Sequence, residues 1–100
     1  MHAFVAEEDG ILLGLLHTIY HPNTILIEDT CYIQDLFTSP QARGRGVGGA
    51  LIEAAYQDAH RRGVKRVYWH TKASNVVARA LYDRVAEHQG FIVYTHWIPD

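Results

Sequence analysis

A chain of 100 residues, 48% hydrophobic, with 9 basic and 11 acidic side chains and a formal net charge of -2, has the composition of one compact domain with a modest core, expected to span 1–100. Its longest apolar run, Ile11 to Leu16, is broken by Gly14 and falls far short of the ~20 residues a bilayer-spanning helix needs, so no membrane helix is expected; the near-balance of charge argues against nucleic acid as the main partner. Met1-His2-Ala3-Phe4 carries no basic stretch ahead of an apolar core, so no secretory signal is expected, and the single cysteine, Cys31, excludes an internal disulfide and makes a reducing cytoplasm the expected compartment.

Ala3 to Glu8 and Ile11 to Tyr20 read as strands, and Asp9-Gly10 between them supplies the positive φ of a tight hairpin turn. After a turn at His21-Pro22-Asn23, Thr24 to Thr38 is extended and rich in β-formers, with a bend expected near Glu28-Asp29 and an end at Ser39-Pro40. From Gly46 the period becomes helical. Val47, Ala50, Leu51, Ala54 and Ala55 form an apolar stripe, with Glu53, Gln57, Asp58, Arg61 and Arg62 mainly on the wet side and Gly63 closing the helix. Val64 to Thr71 returns to strand, and Ser74-Asn75 caps a second helix, expected to bury Val77, Leu81 and Val85 and to end near His88. Phe91 to Ile98 is the last expected β segment. The order β-β-β-α-β-α-β places a mixed central sheet in an α/β fold, with Cys31–Thr38 and Val64–Thr71 parallel across the first helix.

The chemistry concentrates between Gln41 and Gly49, where Arg43, Gly44, Arg45, Gly46, Val47 and Gly48 join a strand to a helix start. Glycines let backbone approach a ligand, a helix N-terminus offers unbonded N–H groups, and its positive end favours phosphate. The same glycines could serve a tight turn alone. Gly44, Gly46 and Gly49 formally fit the dinucleotide pattern, but five residues separate them from the strand, and no acid stands about 20 residues on for a ribose. No Gly-Lys-Ser/Thr suggests a nucleotide triphosphate either.

Arg43-x-x-Gly46-x-Gly48, with Leu36-Phe37-Thr38-Ser39-Pro40 ahead and Asn75-Val76-Val77-Ala78-Arg79-Ala80-Leu81-Tyr82 followed by Gly90-Phe91 behind, resembles the GNAT superfamily of N-acetyltransferases. The resemblance runs from about Cys31 to Tyr94. It implies acetyl-coenzyme A as co-substrate and direct transfer of acetyl to a primary amine. It also assigns the glycine loop to the pyrophosphate, Leu36, Phe37 and Thr38 to the pantetheine arm and acyl oxygen, Asn75 to the same arm, and Tyr82 to protonation of the leaving sulfur. Asn75 and Tyr82, seven residues apart, lie about 20° apart around a helix, away from the expected apolar stripe. Lys72 and Arg79 are candidates for coenzyme A phosphates.

Proton removal from the amine needs a base, and Asp35 is the best candidate: Cys31, Ile33, Asp35 and Phe37 share one face of the strand, which places a carboxylate on a largely apolar face near the expected cleft. It could equally bond a neighbouring loop. Glu28 and Asp29 are alternatives. Cys31 has no identifiable base partner and reads as a small buried apolar residue. The seven histidines form no helical i, i+4 pair or compact ligand set, so no metal is expected. Arg61, Arg62, Lys65 and Arg66 stand at the far end of the first helix and read as dipole compensation.

Two departures from the family stand out. The strand and two helices that usually open the domain are missing ahead of Met1, which implies either a fragment or a short form whose acceptor site a second subunit completes. Between Tyr82 and Gly90 the chain is about one helical turn longer than in many members, a form shared with a branch resembling yeast histone and polyamine acetyltransferases. That branch suggests a small amine, polyamine or lysine acceptor. A final edge bearing Phe91, Val93, Tyr94 and Trp97 implies a homodimer that covers it. The competing classes are a non-catalytic coenzyme A module and a dinucleotide-binding half domain.

Overall fold

The computed structural model describes residues 1–22, 29–90 and 92–99, and it divides into two compact units, Met1–His70 and Thr71–Asp100. In the first, strands β1 (His2–Glu8), β2 (Ile11–His21), β3 (Thr30–Thr38) and β4 (Val67–Tyr68) form one sheet in that order, and helix α1 (Val47–Arg61) follows a 3-10 turn at Pro40–Ala42. β1 and β3 run antiparallel to β2, and β4 runs parallel to β3. The expected mixed α/β architecture forms. Asp9 and Gly10 take φ of 53° and 77°, the paired positive values that let two residues turn a twisted hairpin.

One face of the sheet carries α1. Gly14, Leu16 and Thr18 of β2 and Cys31 and Ile33 of β3 are buried with Val47, Leu51, Ile52, Ala55 and Ala59 of α1. The buried stripe is therefore rotated from the expected one: Ala50 is exposed, and Ile52 and Ala59 take up the contact. Bulk decides this, because Ile52 buries far more apolar area than an alanine. Gly14 makes the close seating possible. A Cβ there would come within 2.7 Å of Val47 Cγ1, 2.9 Å of Leu51 Cδ1 and 2.9 Å of the Phe37 carbonyl oxygen.

At its far end α1 closes as expected on Gly63, φ 73°. The Val64 N–H donates to the Ala59 carbonyl at 2.9 Å and that of Gly63 to His60 at 3.1 Å, a Schellman closure. Because Val64 is spent on this cap, β4 begins at Val67 rather than Val64, and its ladder with β3 has two pairs, Cys31 with Val67 and Tyr32 with Tyr68. Asp58, expected on the wet side, is tied back to the sheet. It accepts the Tyr20 hydroxyl at 2.6 Å and Arg62 Nε at 2.9 Å, and Arg62 lies 4.8 Å over the Tyr20 ring.

In the second unit helix α2 (Val76–Val85) ends short of His88. Its expected stripe is not buried as such: Val77 is 87% exposed, and Leu81 and Val85 are half-buried. Residues 92–99 form no strand, so the last expected β segment is corrected; among the described residues this unit contains no other strand to complete a ladder. Phe91 lies outside the described residues, as do Glu28 and most of the expected bend. Among the described residues no helix is long and apolar enough to cross a membrane.

Candidate functional site

The chain leaves β3 at Thr38, where the Ser39 N–H donates to the Leu13 carbonyl at 2.8 Å, and enters α1 through the glycine loop. Gly44 and Gly46 hold φ of 80° and 77°, which side chains with a Cβ resist, and Gly46 is the N-cap without any side-chain capping bond. The consequence is a row of open donors. The amides of Gly44, Gly46, Val47, Gly48 and Gly49 find no acceptor among the described residues, while Arg43 and Arg45 donate theirs to Pro40 and Ala42. Fixed N–H groups at the positive end of a 15-residue helix are suited to an anion of the size of a diphosphate.

The two arginines differ. Arg43 is exposed and forms no ion pair among the described residues, whereas the Arg45 guanidinium is taken up by Glu8 at the hairpin end of β1.

Upstream, β3 keeps β2 on one edge along its whole length, but its parallel neighbour stops at the Tyr32–Tyr68 pair. From Ile33 to Thr38 the other edge has no strand beside it among the described residues. Leu36, Phe37 and Thr38 therefore run into the glycine loop along an unladdered edge. Leu36 and Thr38 are half-buried, and Phe37 is 48% exposed.

Asp35 is not on the face expected for it. The β2–β3 register pairs His17 with Asp35 and Thr18 with Ile33, leaving Gln34 as an extra residue. One inserted residue inverts every side chain beyond it, because strand side chains alternate with period 2. Cys31 and Ile33 face α1; Asp35 and Phe37 face the opposite side. There Asp35 Oδ2 accepts from His17 Nδ1 at 3.2 Å, with the side chains 59% and 28% exposed. A carboxylate only accepts, so His17 carries a proton at Nδ1, and its Nε2 has no hydrogen-bond partner among the described residues.

The same face continues as an aromatic and imidazole surface. The Tyr32 and Tyr68 rings lie 4.9 Å apart, His70 lies 5.5 Å from Tyr32, and Arg66 stands 4.3 Å over Tyr68. His21 Nδ1 donates to the Pro22 carbonyl at 2.9 Å, so its Nε2 accepts the Tyr68 hydroxyl at 2.7 Å. Cys31, by contrast, is fully buried on the α1 face, and burial pushes its thiol up, away from the thiolate a nucleophile needs. Asp29 is exposed.

The second unit holds the remaining candidates. Asn75 caps α2, accepting the Ala78 N–H at 3.4 Å and donating to Thr71 Oγ1 at 3.4 Å; Arg79 donates to the Ala73 carbonyl at 2.8 Å. Both side chains shape the turn that opens α2. Tyr82 is half-buried, and burial raises its phenol above the ordinary value. Lys72 is exposed. Among the described residues no group of three or more His, Cys, Asp or Glu could hold a metal ion.

Sequence reasoning missed His17 and Gly14. A glycine interrupting an apolar strand was the available sign of a close backbone approach. Nothing local marks His17, whose partner is set by register.

Residues 1–87 match the profile of the acetyltransferase (GNAT) family. The chain is 36% identical over 87 residues to the D-amino-acid N-acetyltransferase of Saccharomyces cerevisiae, covering 87% of this chain and 54% of that protein. An aminoglycoside acetyltransferase from an uncultured soil metagenomic sample superposes with a TM-score of 0.89 at 23% identity, over 97% of this chain and 65% of that one. An aminoglycoside N-acetyltransferase solved with CoA superposes with a TM-score of 0.84 at 20% identity, over 98% and 75%. The chain spans no more than about two thirds of the length of these curated relatives, 54% of the yeast enzyme and 65% of an uncharacterized N-acetyltransferase of Bacillus subtilis.

Proposed function

The chain belongs to the GNAT acetyltransferase family, and on that premise we propose that it binds acetyl-coenzyme A and passes the acetyl group directly to a primary amine. The observation that carries this reading is the row of open amides from Gly44 to Gly49 at the mouth of α1, continuous with the unladdered edge of β3. These groups suit a diphosphate followed by an extended, hydrogen-bonding arm. Arg43 adds positive charge, Val47 and Gly48 supply helix-terminal N–H groups, and Leu36, Phe37 and Thr38 offer backbone along the arm. Acetyl-coenzyme A supplies an acyl group already activated as a thioester.

On the chain's side, three tasks remain: an oxygen to polarise, an amine to deprotonate and a sulfur to protonate. The β3 amides take the first, Asp35 stands for the second and Tyr82 for the third. A phenol is protonated at neutral pH, the state an acid requires, and burial raises Tyr82 further above its ordinary value. Asn75 and Arg79 are assigned to the arm and phosphates from the second unit. The acceptor is a small-molecule amine, a polyamine or lysine; the yeast relative's name adds D-amino acids to that class. The free Cys31 thiol supports a cytoplasmic setting.

Titration with acetyl-coenzyme A and with NAD, followed by thiol release in the presence of D-amino acids, polyamines and lysine peptides, tests the reading. Affinity for the thioester, none for NAD, and amine-dependent thiol release are expected. Binding without release under every amine would reduce the chain to a binding module, and preference for NAD would overturn the assignment of the loop.

A further inference from the structure

We propose that the atom accepting the amine's proton is His17 Nε2, with Asp35 acting through the imidazole as a positioning residue. This rests on the acetyl-transfer reading and refines it. The Gln34 bulge turns Asp35 away from the core and sets it across the ladder from His17. The carboxylate then fixes the imidazole with its proton on Nδ1 at 3.2 Å and its basic lone pair on Nε2. His17 makes no other hydrogen bond among the described residues.

Position along the strand favours the same assignment. An arm laid back from the glycine loop over Thr38, Phe37 and Leu36 reaches Asp35 next, about 10 Å from Thr38 at the usual rise per residue. The pair therefore stands at the end of that path, on the face that Phe37 shares.

The step balances as follows. An ammonium proton passes from the acceptor to His17 Nε2, and the freed nitrogen lone pair forms the C–N bond at the acyl carbon. The C–S bond breaks with its electron pair on sulfur, which takes a proton from Tyr82. The second surplus proton on nitrogen restores Tyr82 through solvent, and His17 sheds its own to water, for a net release of one proton.

Among the described residues, Asp35 lies opposite His17 on β3 with Phe37 and Tyr32 along the same face, and Ala3 lies opposite on β1, flanked by Val5 and the Met1 amino terminus; His21, Arg66, Tyr68 and His70 stand farther along that face. The test is kcat/KM for thiol release against pH, with acetyl-coenzyme A affinity and thermal melting measured alongside. His17→Gln is expected to lower kcat/KM by about 100-fold or more and to abolish the acid limb of the profile, at unchanged acetyl-coenzyme A affinity. Asp35→Asn is expected to lower kcat by about tenfold or more with the amine's KM little changed, because an asparagine amide can turn its NH2 toward Nδ1 and no longer fixes the imidazole's tautomer. Should His17→Gln melt out, the Asp35→Asn split between kcat and KM alone decides. A His17→Gln enzyme within about threefold of wild type with its acid limb intact, or an Asp35→Asn kcat within about threefold of wild type, overturns this inference alone. A wild-type chain that binds acetyl-coenzyme A but acetylates no amine overturns the acetyl-transfer reading with it.

Discussion

Gly14→Ala is the substitution through which the packing of the sheet and the function of the loop can be tested together. The added methyl would sit 2.7 Å from Val47 Cγ1, 2.9 Å from Leu51 Cδ1 and 2.9 Å from the Phe37 carbonyl oxygen. Comfortable carbon contacts lie at about 3.5–4.0 Å, so nearly 1 Å must be found. Val47 is β-branched and rotamer-restricted in its helix, Leu51 is buried, and the Phe37 oxygen belongs to a backbone paired with β2. Relief must come from lifting the first turn of α1. Overpacking of this kind costs about 1–3 kcal/mol, and the stiffer unfolded chain returns about 0.4–1 kcal/mol. A net loss of about 1–2 kcal/mol is expected, lowering Tm by about 5–15 °C in a domain of this size. The same lift disturbs the amides of Val47, Gly48 and Gly49, so acetyl-coenzyme A affinity should fall as well. Circular-dichroism melting and isothermal titration read both quantities. A Tm within about 2 °C of wild type with an unchanged Kd would refute the close seating of α1 on β2.

Asp58→Asn should cost about 1.5–3 kcal/mol at neutral pH, since the carboxylate accepts from Tyr20 and Arg62 at once. The Tyr20 hydrogen bond, with Arg62 and Arg61, holds the Asp58 carboxyl below its ordinary 3.8, so this stability is present above that value and is lost as pH falls through the lower folded one. Urea titrations across pH 2–7 should show wild type and variant converging only at the acid end. Arg43→Ala should weaken acetyl-coenzyme A binding by about tenfold or more, whereas Arg45→Ala, already engaged by Glu8, should change it by less than about threefold; equal losses in calorimetry would contradict the ion pair's role. Tyr82→Phe should slow thiol release by about 100-fold with acetyl-coenzyme A affinity retained, and equal turnover would remove Tyr82 from the chemistry. Ile92, Val93, Tyr94, Trp97 and Ile98 are all strongly exposed, and we propose that a second copy of the chain covers them; sedimentation equilibrium at micromolar concentration should return the dimer mass, and a monomer would refute it.

The sequence by itself determined the features whose physics is local. Asp9-Gly10 had to turn a hairpin because two positive φ values are cheap there, Gly63 had to close α1, and Asn75 had to cap α2; each depends on a few neighbouring residues. The strand, glycine loop and helix start between Leu36 and Gly48 were legible for the same reason. Only the tertiary structure decided which face Asp35 occupies, since the Gln34 bulge is a property of how β2 and β3 register. It also decided that His17 meets that carboxylate, that Ile52 rather than Ala50 packs on the sheet, that Gly14 seats α1, and that β4 shrinks to two residues. These outcomes turn on contacts between segments far apart in the chain. Alternation and helical period describe one segment at a time, and a single residue inserted between two paired strands reverses every inference that alternation supports.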